Sequence, residues 1–244
     1  GGMNKAHNQD CEDGDRLHYE LPYAQDQLIS ALTAVNNRVI FVSISGNAHG
    51  MPWSQEVEAI LQAWYSGSET GHAVADVLFG DVNPSGKLPY TIQPTLADYP
   101  AHQYGEIAYP GVDKQVHYKE DIFVGYRYAD LYGTRRPIKY VCQGEQYTIN
   151  PPKRKALYPF GFGLSYTTFE YGKATLNGNV ITVTVTNTGK RAGQEVVQLY
   201  VIDSKASVVR PKKELKGFSK VALQPGETKE VSFTITPDML SYFD

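Results

Sequence analysis

Glu120 and Asp121 are adjacent carboxylates set in front of an apolar, aromatic run, Ile122-Phe123-Val124-Gly125-Tyr126-Arg127-Tyr128. A carboxyl group beside aromatic rings can lose part of its water, and desolvation favours the protonated form nearer neutral pH. A general acid needs that property. The same residues also describe a surface strand entrance, with both carboxylates solvated and the rings in a core. Structural carboxylates far outnumber catalytic ones, so the stretch taken alone reads first as such an entrance. A second acidic cluster, Asp10, Glu12, Asp13 and Asp15 with Arg16, lacks the oxygen-donor spacing of a calcium loop. It reads as a loop with an internal Asp–Arg pair.

Other chemistries find no support in the spacing. The glycine-containing turns form neither a dinucleotide fingerprint nor a phosphate-binding loop. Ser43 and Ser45 lack the spacing of a nucleophile elbow. The six histidines show no metal-ligand spacing, and His49 and His72 read as ordinary polar loop residues. Cys11 and Cys142 are too few for a disulfide scaffold or a structural zinc site, and two free thiols are expected rather than a pair. With 23 basic and 26 acidic residues the charge is nearly balanced, so nothing points to nucleic acid or an anionic membrane as a partner. No apolar run is long enough to span a bilayer, and no signal peptide is visible. The 18 tyrosines suit sugar stacking, though tyrosines also fill cores.

These residues need elements to position them. Residues 21–36 are expected to form a helix with Pro22 in its first turn and an apolar face of Leu28, Ala31, Leu32 and Val35. Residues 39–45 are almost continuously apolar and β-branched, as in a parallel strand buried on both faces. A short helix is expected from Ser54, a strand over 59–65, a loop over 66–71, a helix ending at Gly80, and a short strand over 87–92. Alternating helix and strand argues an α/β sheet, here too short for a complete doubly wound domain. Tyr126 and Tyr128 read as strand core, followed by a loop of about two dozen residues, a length uncommon unless it serves function or covers a surface. From Thr168 the period changes to two, with strands expected at 180–186, 195–201, 215–223 and 229–235 and turns between them. That is a β-sandwich, fibronectin type III-like because no Cys…Trp…Cys signature occurs.

Eight motifs in one order resemble the C-terminal part of glycoside hydrolase family 3, most closely its β-glucosidase branch. They are Glu12-Asp13-Gly14-Asp15-Arg16, Leu21-Pro22 with Gln25, Met51-Pro52-Trp53, the run from Trp64 to Gly71, the run from Gly80 to Pro89, the 120–128 stretch, the run from Phe160 to Tyr166, and Leu215-Lys216-Gly217-Phe218. The resemblance covers essentially the whole chain. It implies a partial α/β sandwich, mostly parallel sheet with flanking helices, over residues 1–100. An active-site loop region follows over 101–164, then a fibronectin type III-like sandwich over 165–244. It also implies an N-terminal (β/α)8 barrel of the same polypeptide, which carries the nucleophilic Asp. That barrel and the first half of the α/β sandwich are not in this sequence, and the expected last strand is absent, so the chain reads as a fragment cut at both ends.

The resemblance assigns Glu120 as general acid/base of a retaining exo-β-glucosidase acting on terminal β-D-glucosyl residues. The barrel Asp would attack while Glu120 protonates the leaving oxygen, with the two carboxyl groups about 5–5.5 Å apart. Ile122 falls at an aglycone-contact position. Trp53 is read either as stacking on a sugar or as buried packing. Asp15 and Arg16 would brace the active-site loop or form a structural ion pair, and Asp121 is the neighbour of the acid. The fibronectin-like unit is expected to pack against the rest and hold the Glu120 loop. No cofactor or metal is implied. The partners are a β-glucoside or oligosaccharide substrate and the barrel, with a homodimer left open and a periplasmic or secreted location favoured. The chain alone is expected to be inactive. Two other readings stand beside this one: a β-xylosidase or other exo-glycosidase of the family, and a non-catalytic sugar-binding or adhesive module with a structural Glu120.

Overall fold

A computed structural model describes residues 1–3, 16, 18–142 and 144–241, Cys142 by its backbone alone. The expectations for Asp15, for its acidic neighbours and for the state of Cys11 and Cys142 lie outside the described residues. None of the described helices is long and apolar enough to cross a membrane.

The first unit is α/β. Helix α1 (Gln25–Val35) leads to strand β1 (Ile40–Ser43), which pairs in parallel with β2 (Ala59–Gln62). Gly1 to Met3 add a third parallel track, Met3 N–H donating to the Ile44 carbonyl at 3.0 Å. Helix α2 (Thr70–Phe79) ends at Gly80, whose left-handed backbone (φ 85°) stops it as the sequence predicts. Residues 52–58 form turns instead of the expected short helix, and α1 starts later than expected, at Gln25.

The core of this unit gathers Met3, Tyr19, Leu21, Ile29, Phe41, Met51, Trp53 and Ile92. Its polarity differs from the sequence reading in two places. Helix α1 buries Ile29, while its predicted face, Leu28, Leu32 and Val35, is exposed, Val35 by 84%. Strand β1 and the two residues after it bury one face only, through Phe41, Ser43 and Ser45, and leave Ile40 and Ile44 exposed. The buried hydroxyls persist because each is hydrogen-bonded: Ser43 Oγ lies 2.9 Å from His49 Nε2, and Ser45 Oγ donates to the Asn47 carbonyl at 3.0 Å. His49 is therefore a fully buried residue, not a loop surface one. His72 sits in α2, 2.5 Å from Glu69.

Residues 120–150 build a small second core. Helix α3 (Tyr126–Ala129) replaces the expected strand there. The expected long loop contains an antiparallel hairpin, β3 (Ile138–Cys142) and β4 (Glu145–Ile149), turned at Gly144 (φ 80°). Phe123, Tyr128, Leu131, Tyr140 and Ile149 are buried together, with Ile122, Ile138 and Tyr147 packed against them. Residues 87–92 form no regular strand, yet they are ladder-bonded to 157–162, for example Leu88 N–H to the Phe162 carbonyl at 2.8 Å.

The last unit is all-β. Strands β5 (Phe169–Tyr171), β6 (Thr175–Asn177), β7 (Val180–Asn187) and β10 (Thr228–Thr234) form one antiparallel sheet, with β7 central. Strands β8 (Gly193–Val201) and β9 (Glu214–Leu223) form the other. The inward residues Val185, Val197, Leu223 and Val231 bury a shared core, as period-two patterning requires. A four-residue helix, α4 (Pro237–Leu240), follows.

Candidate active site

Glu120 sits in the loop that enters the second core. The residue is 6% exposed, and Oε2 has no hydrogen-bond partner among the described residues. A buried carboxylate oxygen without a partner costs free energy, so it marks either a strained position or a place where a ligand completes the bonding. The backbone around it is tightly specified. Glu120 accepts at its carbonyl from Phe123 N–H (2.9 Å), and Phe123 itself is fully buried. Asp121 adopts a left-handed backbone, φ 49°, and its N–H donates to the Tyr118 carbonyl at 3.1 Å. Such a turn is uncommon for a residue with a Cβ, although Asp tolerates it better than most. Just upstream, Tyr140 Oη donates to the Lys119 carbonyl.

Downstream, the loop runs into α3, and the sandwich grips α3 from the other side. Tyr126 stacks on Phe160 with centroids 4.7 Å apart, and its hydroxyl accepts from Leu215 N–H at 2.9 Å. Arg127 Nη2 donates to Glu214 Oε1 at 3.0 Å, and Lys213 Nζ lies 3.4 Å from Asp130. On the opposite flank Gln103 donates from Nε2 to Tyr128 Oη (2.8 Å) and the Asn150 carbonyl (3.1 Å). Burial, together with the nearby charges of Asp98 and Tyr104, pushes the Tyr128 phenol up to about 12 despite that bond from Gln103.

The sequence-predicted site residues fall in two places. Glu120, Asp121 and Ile122 share the loop, with Ile122 packed against the second core. Trp53 is 0% exposed in the first core. Its indole N–H donates to Asp26 Oδ1 at 2.6 Å and its rings pack on Phe41 at 4.5 Å. No ring face is left for a sugar in this arrangement, so of the two readings of Trp53 the structure favours packing. Arg16 donates through Nη2 to the Ala48 carbonyl at 2.6 Å, bracing the loop after β1. Tyr140 and Tyr147, which hold Lys119, and Tyr104, which meets them both, were not singled out by the sequence. Their signal there is only the alternation Tyr140…Tyr147 across a hairpin turn, which is diluted by lysine and glutamate.

Comparison with known proteins bears on this geometry. The model of the glycosyl hydrolase family 3 C-terminal domain matches residues 3–126, just over half of the chain, and that of a fibronectin type III-like domain matches residues 195–244. Beta-glucosidase BoGH3A of Bacteroides ovatus is 50% identical over the whole of this chain, which covers 31% of that protein. Thermostable beta-glucosidase B of Acetivibrio thermocellus is 43% identical over 96% of the chain, covering 29% of its length. Among solved structures, the beta-glucosidase of Bifidobacterium adolescentis superposes with a TM-score of 0.84 at 37% identity over 100% of this chain and 33% of its own. DesR, a beta-glucosidase of Streptomyces venezuelae solved with D-glucose, gives 0.80 at 37% identity over 96% of this chain and 28% of its own. The chain thus spans about a third of the length of the curated relatives it matches. The C-terminal-domain model covers more than half of the chain and the fibronectin type III-like model follows it, matching the α/β unit and the β-sandwich described above: the chain belongs to glycosyl hydrolase family 3.

Proposed function

We propose that this chain is the C-terminal part of a retaining, exo-acting β-glucosidase and that it supplies the general acid/base, Glu120. The observation that carries the reading is the Glu120 carboxyl group: buried, with Oε2 lacking any partner among the described residues, on a loop whose backbone is fixed on both sides. In the first half-reaction the Glu120 carboxyl donates its proton to the glycosidic oxygen as that bond breaks. The sugar is taken by a carboxylate nucleophile, which would reside in a barrel outside this chain. In the second half-reaction the Glu120 carboxylate removes a proton from the attacking water, and the sugar leaves with its configuration retained. Asp121 and Ile122 shape the loop beside the leaving group, and Arg16 braces the loop after β1. The substrate class is a terminal β-D-glucoside, as the relatives' names suggest. The 244 residues alone hold one of the two required carboxyl groups and turn over no substrate.

Glu120→Gln in the complete polypeptide tests this. For phenyl or alkyl β-glucosides, whose leaving groups need a proton, kcat/KM should fall by about 10²–10⁴-fold. For 2,4-dinitrophenyl β-glucoside, which leaves without one, it should change little. Unchanged hydrolysis of the poor leaving groups would remove Glu120 from the mechanism, and measurable turnover by the 244-residue chain would refute its dependence on a barrel.

A further inference from the structure

The geometry points to the β3–β4 hairpin as the device that positions Glu120, with Tyr140 as its principal residue; this rests on the reading of Glu120 as the acid/base. Lys119, the residue immediately before Glu120, is held at both ends by the hairpin's tyrosines. Its backbone carbonyl accepts from Tyr140 Oη, and its ammonium lies 5.0 Å from the centre of the Tyr147 ring. The direction of the hydrogen-bond chain follows from the chemistry. A carbonyl oxygen can only accept, so the one phenolic proton of Tyr140 goes to Lys119. Tyr104 Oη, 2.6 Å from Tyr140 Oη, must then be the donor in that pair. Two phenols thus donate in series toward the peptide group that joins Lys119 to Glu120, and each polarises the next.

The tyrosines cannot easily yield. Tyr140 is buried, with Phe123 edge-on at 5.8 Å and Tyr147 at 6.2 Å. Tyr104 meets the Tyr147 ring edge-on at 6.3 Å. The other side of the loop is closed by the fully buried Phe123, whose N–H binds the Glu120 carbonyl. Glu120 is therefore flanked by two backbone anchors, Lys119 C=O to Tyr140 and Glu120 C=O to Phe123, and both lead into the same core. Releasing the first lets the Glu120 peptide plane turn while the second still holds, which moves the carboxyl group without unfolding the loop. Misplacement of a catalytic group by about 1 Å costs on the order of 100-fold.

The test is Tyr140→Phe in the complete polypeptide, which keeps the ring and removes the donor. A positioning role predicts that kcat/KM for phenyl β-glucoside falls by about 10–100-fold while that for 2,4-dinitrophenyl β-glucoside stays within about threefold, because only the former depends on a well-aimed proton. In a Glu120→Gln background Tyr140→Phe should add nothing to that selectivity, since both act through one group. Equal losses for both substrates, or no loss, would overturn the inference. If Tyr140→Phe fails to fold, Tyr104→Phe decides: a selective loss of several-fold supports the chain of donors, and an unchanged ratio refutes it. Glu120→Gln separates the two failures. A leaving-group effect in Glu120→Gln without one in Tyr140→Phe removes the hairpin's role alone, whereas no effect in Glu120→Gln removes the acid/base itself.

Discussion

Glu214 joins the sandwich to α3, the helix that follows the Glu120 loop, and its removal has a calculable cost. It opens β9 and collects three cations: Arg210 at 2.6 Å, Arg127 at 3.0 Å and Lys216 at 3.7 Å. Its side chain is 14% exposed and that of Arg210 is 10% exposed, but Arg127 is 37% exposed. Glu214→Gln keeps the shape and deletes the charge. A hydrogen bond to a charged group is worth about 1.5–3 kcal/mol, while an exposed ion pair is worth about 0–1. The Arg210 contact therefore dominates, and the loss should total about 2–4 kcal/mol, short of the ~3–5 for severing a fully buried pair. For a chain of this length that lowers Tm by about 4–16 °C, read by circular dichroism. The pH dependence supplies a second check. Burial by itself raises the Glu214 pKa, but the Arg210 hydrogen bond and the charges of Lys216, Arg127 and Arg210 outweigh it, so the net direction is down. A depressed folded value means the stabilisation is complete above the ordinary glutamate pKa of about 4.3 and is lost as pH falls through the folded value. Wild type and Glu214→Gln should differ at pH 7 and converge below about pH 4. A difference under about 0.5 kcal/mol at pH 7, or one that stays constant on acidification, would refute this account of the clasp.

Two further outcomes are open to measurement. Burial raises the pKa of Tyr19, Tyr128 and Tyr171, in Tyr171 reinforced by its hydrogen bond to Glu195. Folded values above the unfolded one mean stability is intact below about pH 10 and falls as pH climbs toward the folded values. Phenolate absorbance should then show a set of tyrosines ionising only with unfolding; a single titration at the ordinary value would contradict it. Glycine substitutions should act with opposite signs. A Cβ on Gly163 would stand 2.0 Å from the Gly86 backbone carbonyl, so Gly163→Ala should destabilise by about 3 kcal/mol or more. Gly71 in α2 faces open space, and Gly71→Ala should stabilise by about 0.5–1 kcal/mol in urea melts.

Local rules reached some elements and missed others for physical reasons. Strands β7 to β10 were legible because each buries alternate residues against a single core, which is what period two encodes. Gly80 was legible because only glycine takes that φ without strain. The apolar stripe of α1 misled: periodicity states that a face is apolar, not that something covers it, and here Ile29 is the residue turned inward. The β3–β4 hairpin escaped because its inward residues, Ile138, Tyr140, Tyr147 and Ile149, alternate with Lys139, Gln146 and Thr148 over only two short strands. The buried Ser43 and Ser45 were read as part of an apolar strand, since their satisfaction depends on His49 and Asn47 folding back. Glu120 was visible as a carboxylate beside aromatics, but a solvated one would look identical in sequence. Its motif neighbours raised it to a candidate, and its burial is a property of the folded loop that no local spacing encodes.

Asn83 carries the joint between the two larger units. Its Oδ1 accepts from Ser165 Oγ (2.9 Å) and Tyr166 N–H (2.8 Å), and its Nδ2 donates to the Ala192 carbonyl at 2.9 Å. Nearby, Tyr166 Oη donates to the Val77 carbonyl and Arg191 to the Gly80 carbonyl, both at 2.8 Å. These partners stand 82 to 111 residues apart in sequence. At a synthesis rate of about 5–20 residues per second, Asn83 is made on the order of 5–20 s before Ala192. During that interval the α/β unit exists on the ribosome with this seam open to water. The order of events is thereby set by translation: the sandwich is made after the α/β unit, and its docking is the step that brings Glu214 to Arg127, on the helix that follows the Glu120 loop.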